Sequence, residues 1–468
     1  MSNQGELIWT DDPPFAKNAK EAVNNSQLRR NLRKATGTIR ERRAGLVAET
    51  PDWQDLRHAG AAIKDDVLHH LDRYLEQFEH AATAKGAHVH WARNAQEATQ
   101  TVTNIVKATG HHEVIKVKSM ATQEIGLVKA LETQGITAHE TDLAEMIIQL
   151  SHDRPSHIVV PALHRNRAEI RRIFSDHMPD APKHLTDDPH ELAEAARRHL
   201  RRLFLKTKVA VSGANFAIAE TGGLLVAESE GNGRMCLTLP ETLISVVGIE
   251  KLIPTFRDLE VFLQLLPRSS TGERMNPYNS IWTGVTENDG PQEIHIVLLD
   301  NGRTNALKDQ IGRQALRCIR CAACLNVCPV YERTGGHAYG GTYPGPIGAI
   351  LTPLLAGVDK APELPFASSL CGACYEVCPV EIDIPTVLVK LRHDAVKAKP
   401  HRTQDATFAA AAQAMSGRRR WTAVLKLAPL LRAVKHGAPP PLSRWTRTRD
   451  LPDPPHQPFR DWWTQNKK

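Results

Sequence analysis

The segment CIRCAACLNVCP, residues 318–329, carries four cysteines separated by two, two and three residues and ends in a proline. A second segment, CGACYEVCP at residues 371–379, repeats the last part of this pattern with three cysteines. Two-residue gaps let thiolates wrap one face of a cubane iron–sulfur cluster, and the cysteine before the proline ligates the neighbouring cluster. The two segments therefore predict two such clusters. Structural zinc sites also use paired cysteines, but the proline-terminated spacing favours iron and sulfur.

The crossover of the cysteine before each proline assigns the ligands. The second set is one thiolate short, because Ser368 occupies the position three residues before Cys371 where another cysteine is expected. This site is expected to hold either a three-iron cluster or a four-iron cluster whose last iron takes an oxygen or exogenous ligand. One cluster takes Cys318, Cys321, Cys324 and Cys378, and the other takes Cys328, Cys371 and Cys374.

The 42 residues between Cys328 and Cys371 exceed what a minimal ferredoxin needs, and they favour a helical two-cluster domain that relays electrons. Residues 335–350, GGHAYGGTYPGPIGAI, are rich in glycine. These glycines either bring backbone N–H groups close to cluster sulfurs or form a turn that leads into a helix near Ile347. His337 is interpreted as a loop residue, and the isolated Cys236 as a small buried core residue.

Length and composition place the chain among multidomain globular proteins. Its 468 residues exceed one ordinary core, and seven of its eight cysteines fall in the two segments. Such clustering is typical of metal ligands in a reducing compartment rather than of disulfides. No run reaches the ~18–20 apolar residues of a membrane span, and the N-terminus lacks a secretory signal pattern. We therefore expect a cytoplasmic protein.

The chain before the cysteines alternates between two kinds of pattern. Residues 1–82 are predicted to be helical, and residues 83–302 alternate short β-rich runs with amphipathic helices. This alternation predicts an α/β domain with a parallel sheet covered on both faces, ending in an antiparallel or mixed section. The two-cluster domain spans 303–400, and a C-terminal segment spans 401–468. The predicted strands include residues 87–92, 113–118, 136–141 and 156–161, and Asp188 is a candidate cap for the helix at 192–205.

The α/β region carries only weak chemical signals. Four polar residues lie beside predicted strands where a ligand could bind, although two β-turns explain the same Gly- and Asn-rich segments. No G-x-G-x-x-G opens a helix after a strand, so a Rossmann dinucleotide site is not supported. The candidate residues are Ser212, Asn215, Glu220 and Arg234.

The formal net charge of +7 is concentrated in the tail. Residues 401–468 contain 13 Lys and Arg against 4 Asp and Glu, a net charge of +9, whereas the other 400 residues carry −2. The near-neutral body excludes a nucleic-acid-binding surface of the usual basic kind. The run RRRWTAVLKLAPLLRAV at 418–434 either lies on an anionic membrane surface or an acidic partner, or packs on the body of the chain. Its apolar face is predicted to hold Trp421, Val424, Leu425 and Leu431, and Pro429 interrupts the helix.

These segments together resemble the lactate-utilization iron–sulfur protein B family. The resemblance extends from SGANFAIAETGGLLVAESEGNGR (212–234) through both cysteine segments and the YPGPIG loop (343–348). It implies that the α/β domain is a lactate-utilization domain, similar in fold to ribose-5-phosphate isomerases and coenzyme A transferases. It also implies two companion proteins, one cysteine-rich and one with a second lactate-utilization domain, that together oxidise L-lactate to pyruvate. Both clusters are expected to be of the four-iron type, and no catalytic residue transfers to the α/β domain.

Three functions remain in competition at this level. The leading hypothesis is a cluster-bearing electron-transfer subunit of a lactate-oxidising complex. The second is a self-contained hydroxy-acid dehydratase, in which the incompletely ligated cluster acts as a Lewis acid. The third is a redox-sensing protein whose α/β domain holds a ligand. Turnover without companions would favour the second, and ligand binding that depends on cluster state would favour the third.

Overall fold

The computed structural model describes residues 7–399, 402–427 and 455–467. It divides into two units, the first extending to Ala398 and the second beginning at Lys399. None of the described helices combines the length and the apolar character that crossing a bilayer demands.

Four helices precede the first strand in the described residues. Asn25 caps the second helix by accepting a hydrogen bond from the N–H of Leu28, as a short polar side chain does at a helix start. The helices are α1 (Phe15–Ala22), α2 (Ser26–Ala48), α3 (Trp53–His69) and α4 (Leu71–Ala84).

A six-stranded, entirely parallel sheet forms the centre of the first unit, with strand order β1-β10-β7-β4-β2-β3. Every residue of its strand β7 is buried, which is typical of a parallel strand covered on both faces. The strands are β1 (Ala87–Ala92), β2 (Glu113–Lys116), β3 (Thr137–Glu140), β4 (Val209–Ser212), β7 (Thr242–Gly248) and β10 (Glu293–Leu299).

Successive side chains of these strands enter different cores. Leu243 packs in a core with Phe78 of α4, whereas its neighbour Ile244 packs with Val102 on the opposite face. This alternation follows from the two-residue period of a strand. Helices that follow the strands are α5 (Ala95–Ala108), α6 (Met120–Glu124), α7 (Leu127–Glu132), α8 (Leu143–Leu150), α9 (Arg167–His177), α10 (Pro189–Lys206), α11 (Asn232–Thr238), α12 (Leu259–Ser270) and α13 (Arg303–Lys308).

The α/β domain ends in a smaller mixed sheet, as the sequence predicts. Its order is β8-β5-β6-β9, with β5 antiparallel to β6 and parallel to β8. Residues 219–222 form the turn between β5 and β6, which agrees with the β-turn interpretation of the Gly-rich segment at 220–223. The strands are β5 (Phe216–Ile218), β6 (Gly223–Glu228), β8 (Leu252–Ile253) and β9 (Tyr278–Trp282).

The cysteine-bearing region is helical, as predicted, and shares one core with α2, α3 and α12. Its α-helices are α14 (Ala323–Val327), α15 (Pro329–Thr334), α16 (Gly345–Ala356), α17 (Ala373–Glu376) and α18 (Ile384–Ala398). Short 3₁₀ helices cover Ile249–Lys251, Gly312–Arg317, His337–Tyr339 and Leu364–Phe366. The second unit contains α19 (Arg402–Met415), α20 (Arg418–Leu427) and α21 (Phe459–Asn466).

Two local predictions were wrong. Residues 156–161 form bends rather than a strand, because Nδ1 of the buried His157 accepts hydrogen bonds from the N–H groups of Val159 and Val160. Those donors are thereby lost to any sheet. The Gly231–Arg234 segment begins α11 instead of forming a β-turn, with Gly231 at a φ of 83° as the residue before the helix.

Candidate functional site

The thiols of four cysteines lie close enough to influence one another in a mostly buried site at one side of the helical region. Burial raises the pKa of Cys321 to about 12, and the nearby Cys318 and Cys378 raise it as well. Burial also raises the pKa of Cys324, and Cys318 and Cys321 raise it further. Thiols in this setting are protonated at neutral pH until a metal replaces the proton. The donor set therefore fits a metal cluster better than it fits free thiolates.

The other three cysteines form a second group that reaches the surface. Burial raises the pKa of Cys374 to about 12, and Cys328 and Cys371 raise it as well. Cys371 is exposed, whereas Cys328 and Cys374 are buried. Ser368 is half-buried, and its hydroxyl oxygen accepts a hydrogen bond from the N–H of Leu370 at 3.1 Å. Cys374 also acts on the pKa of Cys324 in the first group, so the two groups adjoin, and the division of the ligands between two clusters stays a prediction.

Backbone N–H groups point at several of these sulfur atoms. The N–H of Arg320 lies 3.4 Å from Sγ of Cys318, and that of Tyr331 lies 3.4 Å from Sγ of Cys328. The N–H of Ile382 lies 3.3 Å from Sγ of Cys378. Hydrogen bonds to cluster sulfurs are one of the means by which proteins set cluster potentials. The arrangement therefore fits ligated, negatively charged sulfurs.

The amino-terminal helices hold the second cysteine segment in place. Nε of Arg57 on α3 donates to the carbonyl of Cys378 at 2.9 Å, and the guanidinium of Arg43 on α2 donates to the carbonyl of Val377 at 3.0 Å. Arg317 pairs with Asp65 of α3 and also donates to the carbonyl of Glu381. The helices at the start of the chain thus serve as a support for the cluster ligands.

A cavity of about 400 Å³ lies where the parallel strands end, beside the first cysteine group. Lys118 follows β2, Asn215 follows β4, Lys251 follows β7 and Arg303 follows β10, and all four line it. Open α/β sheets bind ligands at the carboxyl ends of their strands. Arg320, which stands between two predicted cluster ligands, also lines this cavity.

A buried ionic network joins the sheet to the cysteine loop at this cavity. Arg303 donates to both oxygens of Glu124, at 2.7 and 3.0 Å, and pairs with Glu250. Glu250 also accepts from Arg320 at 3.0 Å, and the hydroxyl of Tyr343 donates to Glu124 at 2.6 Å. Burial raises the pKa of Glu250, but Arg303 and Arg320 lower it by more, to about 2. Charges buried this deeply are tolerated because each one is paired.

The opposite end of the cavity is acidic. Burial raises the pKa of Glu230 to about 7, and the nearby Asp142 raises it further. Glu230 accepts a hydrogen bond from the N–H of Leu143, and Glu228 accepts from the N–H groups of Gly233 and Arg234. The cavity therefore has a basic end beside the cysteines and an acidic end at the start of α8 and α11.

Only one of the four polar candidates reaches the cavity. Asn215 lines it, and its side-chain oxygen accepts from the N–H of Ala227. Ser212 is buried and donates to the carbonyl of Gly213, Glu220 accepts from the N–H of Phe256, and Arg234 lies over the ring of Tyr278. The sequence analysis did not identify Lys251, Arg303 or Arg320. Lys251 and Arg303 follow strands of the parallel sheet, and Arg320 lies between two cysteines, and these positions could have indicated them.

Cys236 and His337 lie outside the two cysteine groups, and their contacts indicate structural roles. Cys236 is fully buried, as predicted, with Sγ 3.4 Å from Oγ1 of Thr141. His337 lies in a 3₁₀ helix within a cluster that includes Asp153 and His164. Both ring nitrogens of His164 already have partners, namely Ser156 and Asp153, and His337 contacts the carbonyl of Arg154. These contacts fit an internal hydrogen-bond network.

The second unit exposes large apolar side chains beside basic ones. Phe459, Trp462 and Trp463 of α21 pack on one another with ring centroids 5.8 to 6.5 Å apart, and each is at least 45 % exposed. Helix α20 begins with three arginines and ends at Leu427. Leu431, which belonged to the predicted apolar face, and Pro429, which was predicted to interrupt the helix, lie outside the described residues.

Comparison with known proteins gives the same order of domains. Three family models match: LUD domain over residues 75–299, 4Fe-4S dicluster domain over 314–382, and Lactate utilisation protein B, C-terminal, over 390–468. The chain is 42 % identical to Lactate utilization protein B of Oceanobacillus iheyensis, covering 97 % of this chain and 96 % of that one. It is 40 % identical to the protein of the same name from Bacillus subtilis, covering 98 % and 97 %. A solved DUF162 family protein from Deinococcus radiodurans matches at 16 % identity and a TM-score of 0.27, covering 49 % of this chain and 98 % of that one. The expected α/β domain followed by a two-cluster iron–sulfur domain is thereby confirmed.

Proposed function

The chain belongs to the Lactate utilization protein B family, and from this premise we propose that it is the electron-transfer subunit of a complex that oxidises L-lactate to pyruvate. The observation that carries the proposal is the placement of two cysteine groups in one core, one beside the cavity and one with a ligand at the surface. Bound clusters would supply one-electron transfer at both positions.

The ligands would divide between a complete and an incomplete set. Cys318, Cys321, Cys324 and Cys378 would hold a four-iron cluster. Cys328, Cys371 and Cys374 would hold either a three-iron cluster or a four-iron cluster whose last iron binds an oxygen ligand. The exposed position of Cys371 and of the neighbouring Leu370 and Tyr375 supports electron exit to a partner at this second cluster.

The partners in this proposal are two companion proteins, one cysteine-rich and one with its own lactate-utilization domain. The test is anaerobic purification of the full chain, followed by iron and sulfide analysis and EPR before and after L-lactate and both companions are added. About eight irons per chain indicate two four-iron clusters and about seven indicate one three-iron cluster, because these counts follow from the cluster types. Clusters that lactate cannot reduce in the assembled system would overturn the proposed relay.

The basic C-terminal unit gives this system a place to dock. Its arginines at 418–420 and exposed aromatic residues on α21 support peripheral contact with the inner face of the membrane, because amphipathic basic helices bind anionic lipid. Flotation with anionic liposomes, using the full chain and a chain lacking residues 401–468, tests the contact. The full chain should float and the shortened chain should not. If neither floats, the unit has no membrane role.

A further inference from the structure

Several polar groups in the cavity beside the first cysteine group lack partners within the protein. The ammonium group of Lys251 forms no hydrogen bond or ion pair with any residue that the structure describes. Nε of Arg320, Oγ1 of Thr271 and Oδ1 of Asn276 are buried without hydrogen-bond partners. Arg320 is only 8 % exposed and Asn276 only 9 %. Buried polar groups are normally paired, so a bound molecule is the natural partner for this set.

The chemistry of the unpaired groups defines the class of that molecule. Lys251 and Nε of Arg320 are positively charged donors, which match a carboxylate. The threonine hydroxyl and the amide oxygen of Asn276 accept hydrogen bonds, as the hydroxyl substituent of an acid requires.

The remaining charges argue against a highly charged ligand. The side chains lining the cavity include four basic and four acidic residues, so the cavity has no net charge that would favour a phosphate dianion. They are Lys118, Lys251, Arg303 and Arg320, and Asp142, Glu228, Glu230 and Glu250. A monoanion with polar substituents satisfies both ends. The volume of about 400 Å³ lies within the usual range of small-molecule sites.

We infer that this cavity binds a small hydroxycarboxylate, with its carboxylate held by Lys251 and Arg320 and its hydroxyl group donating to Thr271 or Asn276. No residue of the cavity is assigned a ligand by the family resemblance, so the site is new. The inference rests on the proposed function for the choice of acid, but the unpaired groups themselves do not depend on it. Since Arg320 donates to the carbonyl of Cys318 at 3.2 Å, the bound acid would lie next to the first cluster.

The test measures binding of L-lactate and pyruvate to the anaerobically purified full chain by calorimetry, with inorganic phosphate as a third probe. The variants are Lys251→Met and Asn276→Leu, and the control is Lys308→Met. Lys308 is an exposed lysine of α13 that does not line the cavity. Loss of a charge-assisted contact should weaken binding of the acid roughly ten- to hundredfold in Lys251→Met. Asn276→Leu should weaken L-lactate severalfold, and the control should bind as the unaltered chain does.

Each other outcome has a defined meaning. Equal binding by all variants, or no binding of either acid, would overturn the inference, and binding of phosphate alone would overturn the carboxylate class. If Lys251→Met changes the midpoint potential of a cluster but not binding, the ammonium serves the cluster only and the inference fails. Should Lys251→Met lose its clusters, Asn276→Leu decides the question, because Asn276 is not in a cysteine segment. Acid binding without lactate-driven cluster reduction would support the cavity and refute the relay.

Discussion

Replacing Arg303 by methionine should sharply destabilise the first unit, because this residue links the sheet to the cluster loop. Arg303 is 1 % exposed and forms hydrogen bonds to both oxygens of Glu124 and to Glu250. Methionine would leave both carboxylates buried with fewer partners. Breaking one side of such a buried network costs about 3–5 kcal/mol. With a urea m-value of about 3 kcal/mol per M, the unfolding midpoint should fall by roughly 1–2 M.

The assay is anaerobic urea unfolding followed by tryptophan fluorescence and, in parallel, by cluster absorbance. Arg274→Met is the matched control, since Arg274 pairs with Glu49 at an exposed site, and exposed pairs contribute little. A second replacement, Glu124→Gln in the Arg303→Met background, should recover part of the loss, because it neutralises one of the two abandoned carboxylates. If Arg303→Met shifts the midpoint no more than Arg274→Met does, the network does not hold the sheet and the loop together.

Three further predictions concern the clusters, the backbone and pH. Cys321→Ser should remove about half of the cluster absorbance. The control Cys236→Ala alters a cysteine outside both groups and should retain all of it. The iron content of the two purified variants checks this prediction. Gly348→Ala should cost about 1–3 kcal/mol of unfolding free energy because the new Cβ would overlap the carbonyl of Tyr343. The control Gly37→Ala, in open space on α2, should instead add about 0.5–1 kcal/mol. Equal urea midpoints for the two variants would contradict this prediction. Burial lowers the pKa of His157 from 6.5 to about 4, so the unfolded chain binds the proton more readily than the folded chain does. Roughly 3 kcal/mol of unfolding free energy should therefore be lost as the pH falls from 6.5 to 4. His157→Gln should flatten that part of the stability profile, and an unchanged profile would exclude this histidine as its source.

The fold could be predicted wherever short-range patterns decide it. The short β-rich run AHVHWA at 87–92 predicted a strand, and the structure places β1 there. The segment SHIVVP at 156–161 is also rich in β-branched residues but does not form a strand. Its backbone donors are taken by the ring of His157, and propensity alone does not reveal that a side chain competes with a sheet for them.

The cysteine groups were easier to predict than the cavity for a physical reason. Cluster ligands lie on short loops, so their spacing is visible within a dozen residues. The cavity is assembled from Lys251, Arg303, Arg320 and Asn276, which are distant in sequence and follow different elements. Arg320 looked like a spacer between two cysteines, yet its guanidinium stacks on Tyr343 at 4.8 Å and lines the cavity. A side chain's role at such a site follows from the strand order, which no local pattern records.

The environments of the two cysteine groups give the proposed relay a direction. Lys251 and Arg320 lie beside the first group, and positive charge favours the reduced, more negative state of a cluster. These two side chains would therefore ease reduction of the first cluster by a donor in the cavity, but they do not favour the onward step, for which the direction rests on access to the surface. The second group has no comparable buried cation among its described contacts and instead places Cys371 at the surface. An electron that enters at the first cluster thus has a route to Cys371, the exposed cysteine of the second group. The reverse direction would require the buried cluster to exchange electrons with a partner through a cavity sized for a small molecule.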